Sequence, residues 1–240
     1  MFLENERKDM RKFTMNTKLF SISAAAVSSV LAASVANADV SVSAELVHLG
    51  NTGGATQPAD VATYRLYANL DAGWRVDAVY GNSDSSLDIT ANGLFYQNAF
   101  GGDSSAGINP ALIFAFPSLA YDSWVTIGLE DQTGNALNNI GIDFGAFNSA
   151  GSLLTDNGSW FVTPDDAQGL EVDGRVLLGQ FSVIDGSGVL TDDMAAMMVN
   201  VQGKDADGNT WNLIGGNALP APGALALLGL AGVTARRRRK

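Results

Sequence analysis

The chain has 240 residues, 14 Lys and Arg, 25 Asp and Glu, one His and no Cys, for a formal charge of −11. The basic residues cluster at the two ends, so that residues 39–219 hold only Arg65, Arg75, Arg175 and Lys204 against 22 acids, and a body of that sign repels a phosphate backbone and excludes nucleic acid as a partner. The lack of Cys removes disulfides, zinc–thiolate sites and thiol nucleophiles together, and the single His removes any site that needs two.

In chain order, the first element is a leader over residues 1–38. Met15-Asn16-Thr17-Lys18 opens it, an apolar run from Leu19 to Val35 follows, and Ala36-Asn37-Ala38 precedes Asp39. A basic start, an apolar core and a small-x-small site are the three parts of a secretory signal peptide, with signal peptidase as the partner that reads Ala36 and Ala38. Glu4, Glu6 and Asp9 make the stretch before Met15 acidic for such a start, which points to translation beginning at Met10 or Met15.

Residues 39–216 follow as one domain of recurrent period-two alternation. Val40-Val42-Ala44-Leu46, Tyr64-Leu66-Ala68-Leu70 and Trp74-Val76-Ala78-Tyr80 each define one face of a predicted strand. Further strands are predicted at 87–90, 94–98, 112–116, 124–129, 140–144, 159–163, 175–184, 196–202 and 210–214, with 194–198 open to a short helix instead. Turn pairs such as Asn92-Gly93, Asn157-Gly158, Asp173-Gly174 and Asp185-Gly186 separate them. About a dozen short strands rich in β-branched and aromatic residues predict an all-β fold, an antiparallel β-sandwich of jelly-roll-like form.

Chemical motifs are sparse in this body. His48 shares the parity of the first strand's apolar face, and a lone imidazole there reads as structural. No Gly-x-Ser-x-Gly, phosphate loop, Gly-x-Gly-x-x-Gly or His-Glu-x-x-His occurs, so the reading is of a protein that is not an enzyme. Paired carboxylates for polysaccharide hydrolysis remain an alternative, although only Glu45, Glu130 and Glu171 are Glu and most Asp residues sit in turns. Asp205-Ala206-Asp207-Gly208-Asn209 spaces the oxygens of Asp205, Asp207 and Asn209 like the start of an EF-hand, a weak Ca²⁺ candidate. Thr210 and Gly216 break that pattern where it needs Gly and Glu, and a hairpin turn is the favoured reading. No other cofactor is expected. Trp74, Trp124, Trp160 and Trp211 are either core residues or a stacking platform for an envelope polysaccharide, which would make the domain a carbohydrate-binding module.

The chain then reads as a linker over 217–222 ending in Pro220-Ala221-Pro222, an apolar transmembrane helix over 223–235, and a cytoplasmic tail of Arg236, Arg237, Arg238, Arg239 and Lys240. At about 1.5 Å per residue the apolar segment gives a helix of roughly 20 Å, short for a bilayer core of about 30 Å. Five positive charges after it hold that end in the cytoplasm and leave the body outside the inner membrane. The tripartite tail resembles the PEP-CTERM sorting signal of Gram-negative-type bacteria. That resemblance covers the last 21 or so residues and implies an exosortase-like transpeptidase as partner, with Ala221 in the place of the family's Glu implying a variant reader. It further implies an inner-membrane-anchored intermediate on the way to the cell surface or extracellular matrix, and a structural or interaction role there.

Overall fold

Strand-forming alternation becomes two antiparallel sheets in the computed structural model, which describes residues 40–184 and 195–218. The first sheet contains β1 (Ser41–Asn51), β2 (Asp60–Asn69), β5 (Leu94–Phe95), β6 (Trp124–Val125) and β10 (Arg175–Ile184), in the order β1-β2-β10-β5 with β6 also on β10. The second contains β3 (Arg75–Gly81), β4 (Leu87–Ala91), β7 (Asn138–Ile140), β8 (Leu153–Thr155), β9 (Gly158–Phe161), β11 (Ala195–Lys204) and β12 (Thr210–Ala218). β11 is its spine. One edge pairs with β12, while the other is shared by β4 along the N-terminal half and β3 along the C-terminal half. The order then runs β7-β9-β3-β11-β4-β8. The protein is all-β, as expected.

The sheets bury a common core. Tyr64 and Leu66 of β2, Phe181 of β10, Val79 of β3, Ile89 of β4 and Val199 of β11 belong to it, with Trp160 fully enclosed. Each such side chain contributes about 1.5–3 kcal/mol by leaving water. β2 and β10 are buried on both faces, so period two is blurred there. Their outer face is covered by the long segment between β5 and β7. A smaller core of Tyr67, Ile108, Leu119, Trp124 and Leu177 seals that cover, with Leu112, Ile113 and Phe116 packed against it. Ser105, Thr126, Asn135 and Gln168 form a buried hydrogen-bond chain beneath it, which satisfies polar groups that burial would otherwise penalise.

Several expectations are corrected. The strand at 112–116 is instead α1 (Pro110–Ile113) and a turn. Asn109 caps it by accepting from Ala111 N at 3.0 Å, and Pro110 takes the first helical position, where its missing N–H costs nothing. At 140–144 only Ile140 is in a strand. Gly141 turns the chain at φ +73° and α2 (Gly145–Asn148) follows Phe144. The strands at 94–98 and 124–129 shorten to two residues each, and β8 arises where none was expected. Residues 195–198 are strand rather than helix, because pairing on both edges by β4 and β12 outweighs the helix propensity of Ala and Met. The domain extends past 216: Asn217 and Ala218 pair with Met198 and Met197, so they are strand and not linker.

The face expected for Trp74-Val76-Ala78-Tyr80 is also broken. Val76 faces Gly203 and Ala78 faces Gln202, leaving Asp77 as the extra residue of a bulge, after which Val79 and not Ala78 turns inward. Among the described residues no helix is long and apolar enough to cross a membrane. The leader with Ala36 and Ala38, the turn at Asp185-Gly186, and the tail with Pro220, Ala221, Pro222 and Arg236 to Arg239 lie outside the described residues.

Candidate functional site

The residues singled out from the sequence are distributed over the domain rather than gathered in one cleft. Asp205 closes the β11–β12 hairpin. Its Oδ1 accepts from Asp207 N at 2.9 Å and Asn209 N at 2.8 Å, its Oδ2 accepts from Asn209 Nδ2 at 2.9 Å, and Gly208 supplies φ +85°. The bond from the Asn209 side chain holds the Asp205 carboxyl below its ordinary range. Of the side-chain oxygens proposed for Ca²⁺, both of Asp205 therefore accept from N–H donors of their own turn. Among the described residues no group of three or more His, Asp or Glu is arranged to hold a metal.

The three Glu residues of the body, residues 39–216, each have a structural partner. Glu130 takes a bidentate bond from Arg65, at 2.8 and 2.6 Å. Glu45 pairs with Arg175 at 3.0 Å, and the Arg175 guanidinium lies 4.2 Å from the centroid of the Tyr67 ring. Glu171 receives the N–H of Gly73 and of Gly174, and these two bonds lower its pKa. His48 packs against Tyr121 with ring centroids 4.3 Å apart. Its buried Nε2 has no hydrogen-bond partner.

Sequence reasoning gave no role to Asp122, the most strongly perturbed acid among the described residues. It is fully buried, and its carboxylate accepts from Asn98 N at 2.6 Å and Gly102 N at 3.0 Å. Desolvation outweighs those bonds and pushes its pKa up to about 7, with Asp103 adding like-charge repulsion. The loop around it is locked further. Asn98 donates to Tyr96 Oη and Ser118 Oγ, each at 3.0 Å, and Tyr96 and Ser118 donate to the carbonyls of Gln57 and Thr56. Gly101-Gly102-Asp103 has the composition of an ordinary turn, and nothing local in the sequence shows that it wraps a carboxylate 20 residues away.

The four Trp residues divide in two. Trp160 and Trp124 are buried in the main and outer cores, and Trp160 Nε1 donates to Thr126 O at 2.9 Å. Trp74 and Trp211 are half-buried and stack on each other, with centroids 6.1 Å apart and planes at 26°. They sit where β3 and β12 begin and β11 ends. Gly203 makes this possible, since a Cβ there would lie 2.5 Å from Trp211 Cζ2 and 1.8 Å from Arg75 O. Beside the pair, Arg75 bridges Asp77 at 3.2 Å and Asp165. Asp77 is raised from its ordinary range by burial, which Arg75 and Lys204 oppose.

Several open hollows mark the described surface, among them one against each sheet. One of about 310 Å³ lies against Tyr67, Leu129, Leu170, Val172 and Arg175. The other, of about 340 Å³, has Asp88 and Asp156 in its wall, and Asp88 Oδ1 is buried with no partner. No protein-family model matches the chain, and no curated protein and no solved structure is significantly similar to it.

Proposed function

We propose that this is an exported protein, sorted through a PEP-CTERM-like tail to the cell envelope or extracellular matrix, with a structural or interaction role and no catalysis of its own. Its body is taken as a jelly-roll-like sandwich, a reading supported by connections that pass repeatedly from one sheet to the other, as at β2–β3, β4–β5, β9–β10 and β10–β11. The observation that carries the functional reading is the use of the acids. The desolvated carboxylate of Asp122 is wrapped by backbone donors, Asp205 and Glu171 close turns, and Glu45 and Glu130 are held by Arg175 and Arg65. Carboxylates spent in this way support a scaffold with an acidic, hydrated surface. Cell fractionation tests the proposal: full-length protein recovered from the cytoplasmic soluble fraction overturns it.

A second reading is favoured by one specific observation, the Trp74–Trp211 stack at the end of the second sheet. Two partly exposed indoles beside Arg75, Asp165 and Lys204 support a carbohydrate-binding module, in which apolar sugar faces stack on the rings and hydroxyls meet the polar neighbours. Binding of the full chain to envelope and matrix glycans, compared with a Trp74→Ala variant, tests this reading. Equal binding by both proteins removes its basis.

A further inference from the structure

Turns from three parts of the chain meet around the stacked pair of Trp74 and Trp211. Trp74 ends the turn over 71–74, its N–H donating to Asp71 O at 3.1 Å. The Trp74 carbonyl accepts from Glu171 N at 3.0 Å, and the Glu171 carboxylate accepts from Gly73 N at 3.1 Å. A Cβ on Gly73 would lie 3.4 Å from Ala206 Cβ, so the Asp205–Asn209 turn abuts the same place. Trp211 leaves that hairpin on β12, opposite Gly203. Trp211 Nε1 is buried without a partner, a donor that the fold leaves over on the same pair of rings.

These turns are acidic. Asp71, Glu171, Asp205 and Asp207 lie within them, and Asp173 belongs to the turn that Glu171 closes through Gly174 N at 2.7 Å. The bond from Gly174 N to Glu171 and the bond from the Asn209 side chain to Asp205 hold both carboxyls below their ordinary range, so these two stay ionised in weak acid. The nearby cations are already engaged. Arg75 bridges Asp77 and Asp165, and the charge of Lys204 acts on Asp77. The stacked indoles therefore stand in a negative surround.

We propose that the Trp74–Trp211 stack takes a basic glycan, a chain of amino sugars with free amines, in preference to a neutral or a uronic one. This rests on the carbohydrate-binding reading of the stack and names its ligand class. A protonated amine is drawn both to an indole face and to the surrounding carboxylates, whereas a uronate is repelled by them. The sugar rings that carry the amines also supply flat apolar faces for the two indoles. A basic peptide brings the charge without those faces.

Calorimetric titration of the full-length protein in weakly acid solution tests this with a glucosamine hexamer, its N-acetylated counterpart and a uronate hexamer. Glucosamine should bind at least about tenfold more tightly than N-acetylglucosamine, with the uronate unbound. Added salt should narrow the gap, and Trp74→Ala should lose both bound hexamers. Asp71→Asn/Asp207→Asn leaves the turn bonds of Glu171 and Asp205 in place. It should remove the preference and keep the N-acetylated hexamer bound. Equal, Trp74-dependent binding of the two hexamers overturns the amine preference and leaves the carbohydrate reading standing. Glucosamine binding that persists unchanged in Trp74→Ala or in the double Asn variant overturns the proposal, since the charge is then read elsewhere on an acidic body. Polylysine bound as tightly, and dependent on Trp74, makes a peptide the ligand and overturns it too. Binding of none of the hexamers overturns both readings.

Discussion

A Cβ placed on Gly101 would lie 1.8 Å from Oδ2 of Asp122, so the loop closes on this carboxylate only because position 101 has no side chain. The adjacent Gly102 has no such constraint, its nearest neighbour to a built Cβ being Gly107 Cα at 3.5 Å. Gly101→Ala should therefore cost about 2–3 kcal/mol or more, as overpacking against a fixed, hydrogen-bonded group does, while Gly102→Ala should stay within about 1 kcal/mol. Urea unfolding of the two variants checks the contrast. Equal losses would mean that the carboxylate moves aside freely.

The same carboxylate predicts an unusual pH dependence. Its folded pKa, about 7, is above the unfolded value of 3.8, so between those values the native state holds a proton that the unfolded chain releases. The contribution is fully present below pH 3.8 and is lost as pH rises through about 7. Glu171 and Asp205, whose values are lowered, act in the opposite sense and lose their contribution only in strongly acidic solution. Thermal midpoints should thus fall from pH 5 to pH 8, and Asp122→Asn should flatten that slope. An unchanged slope in the variant assigns the effect to other groups.

The Asp205 hairpin makes a prediction about calcium. With both carboxylate oxygens taken by Asp207 N, Asn209 N and Asn209 Nδ2, the turn needs no ion to close. Millimolar Ca²⁺ should leave the melting temperature unmoved, and Asp205→Ala should lower it equally with and without the ion. A rise on adding Ca²⁺ that disappears in Asp205→Ala would restore the site.

What the sequence made legible follows from which interactions are local. β10 occupies the predicted 175–184 because a run rich in Val, Leu, Ile and Phe is bounded by Asp173-Gly174 before it and Asp185-Gly186 after it. The misreading at 112–116 has an equally local cause. Asn109-Pro110 is a helix-start signal that the apolar run after it concealed. The bulge at Asp77 was not legible, because it is set by the register of β11 and not by β3 itself. Nor were the Asp122 cradle and the division of the four Trp residues, which exist only once distant segments pack.

The stacked pair should behave differently from the buried pair. Trp160 fills the core and hydrogen-bonds Thr126 O, so Trp160→Ala should cost about 3–5 kcal/mol and report only on stability. Trp74 is half-buried beside the turn at Gly73 and contributes less to the core, so Trp74→Ala should leave a folded protein. Any glycan that binds at the stack should shift the emission of the wild type and fail to do so in that variant. A glycan-induced shift that persists without Trp74 places the ligand elsewhere.

The tail is expected to be a temporary anchor. Its apolar segment of 13 residues, 223–235, would make a helix of roughly 20 Å against a core of about 30 Å, and Gly223, Gly229 and Gly232 each lower helix propensity by up to about 1 kcal/mol relative to Ala. Such a segment is suited, on the sorting proposal, to temporary retention until a processing enzyme acts. Pro220 and Pro222 favour an extended chain just ahead of it, the form that a cleaving or transferring enzyme binds. The described part of β12 reaches Ala218 and Pro220 and Pro222 follow it closely in sequence, so on the sorting proposal the cut is expected near Pro220–Pro222. On the sorting proposal the Arg236–Lys240 cluster would keep the far end cytoplasmic until then. Protein recovered from the cell surface should consequently lack the basic cluster, and replacing Arg236 to Arg239 by Ser should weaken membrane retention and processing together. Intact-mass measurement decides between the two roles of the tail: surface protein that still carries Lys240 would make it a permanent anchor and end the sorting proposal.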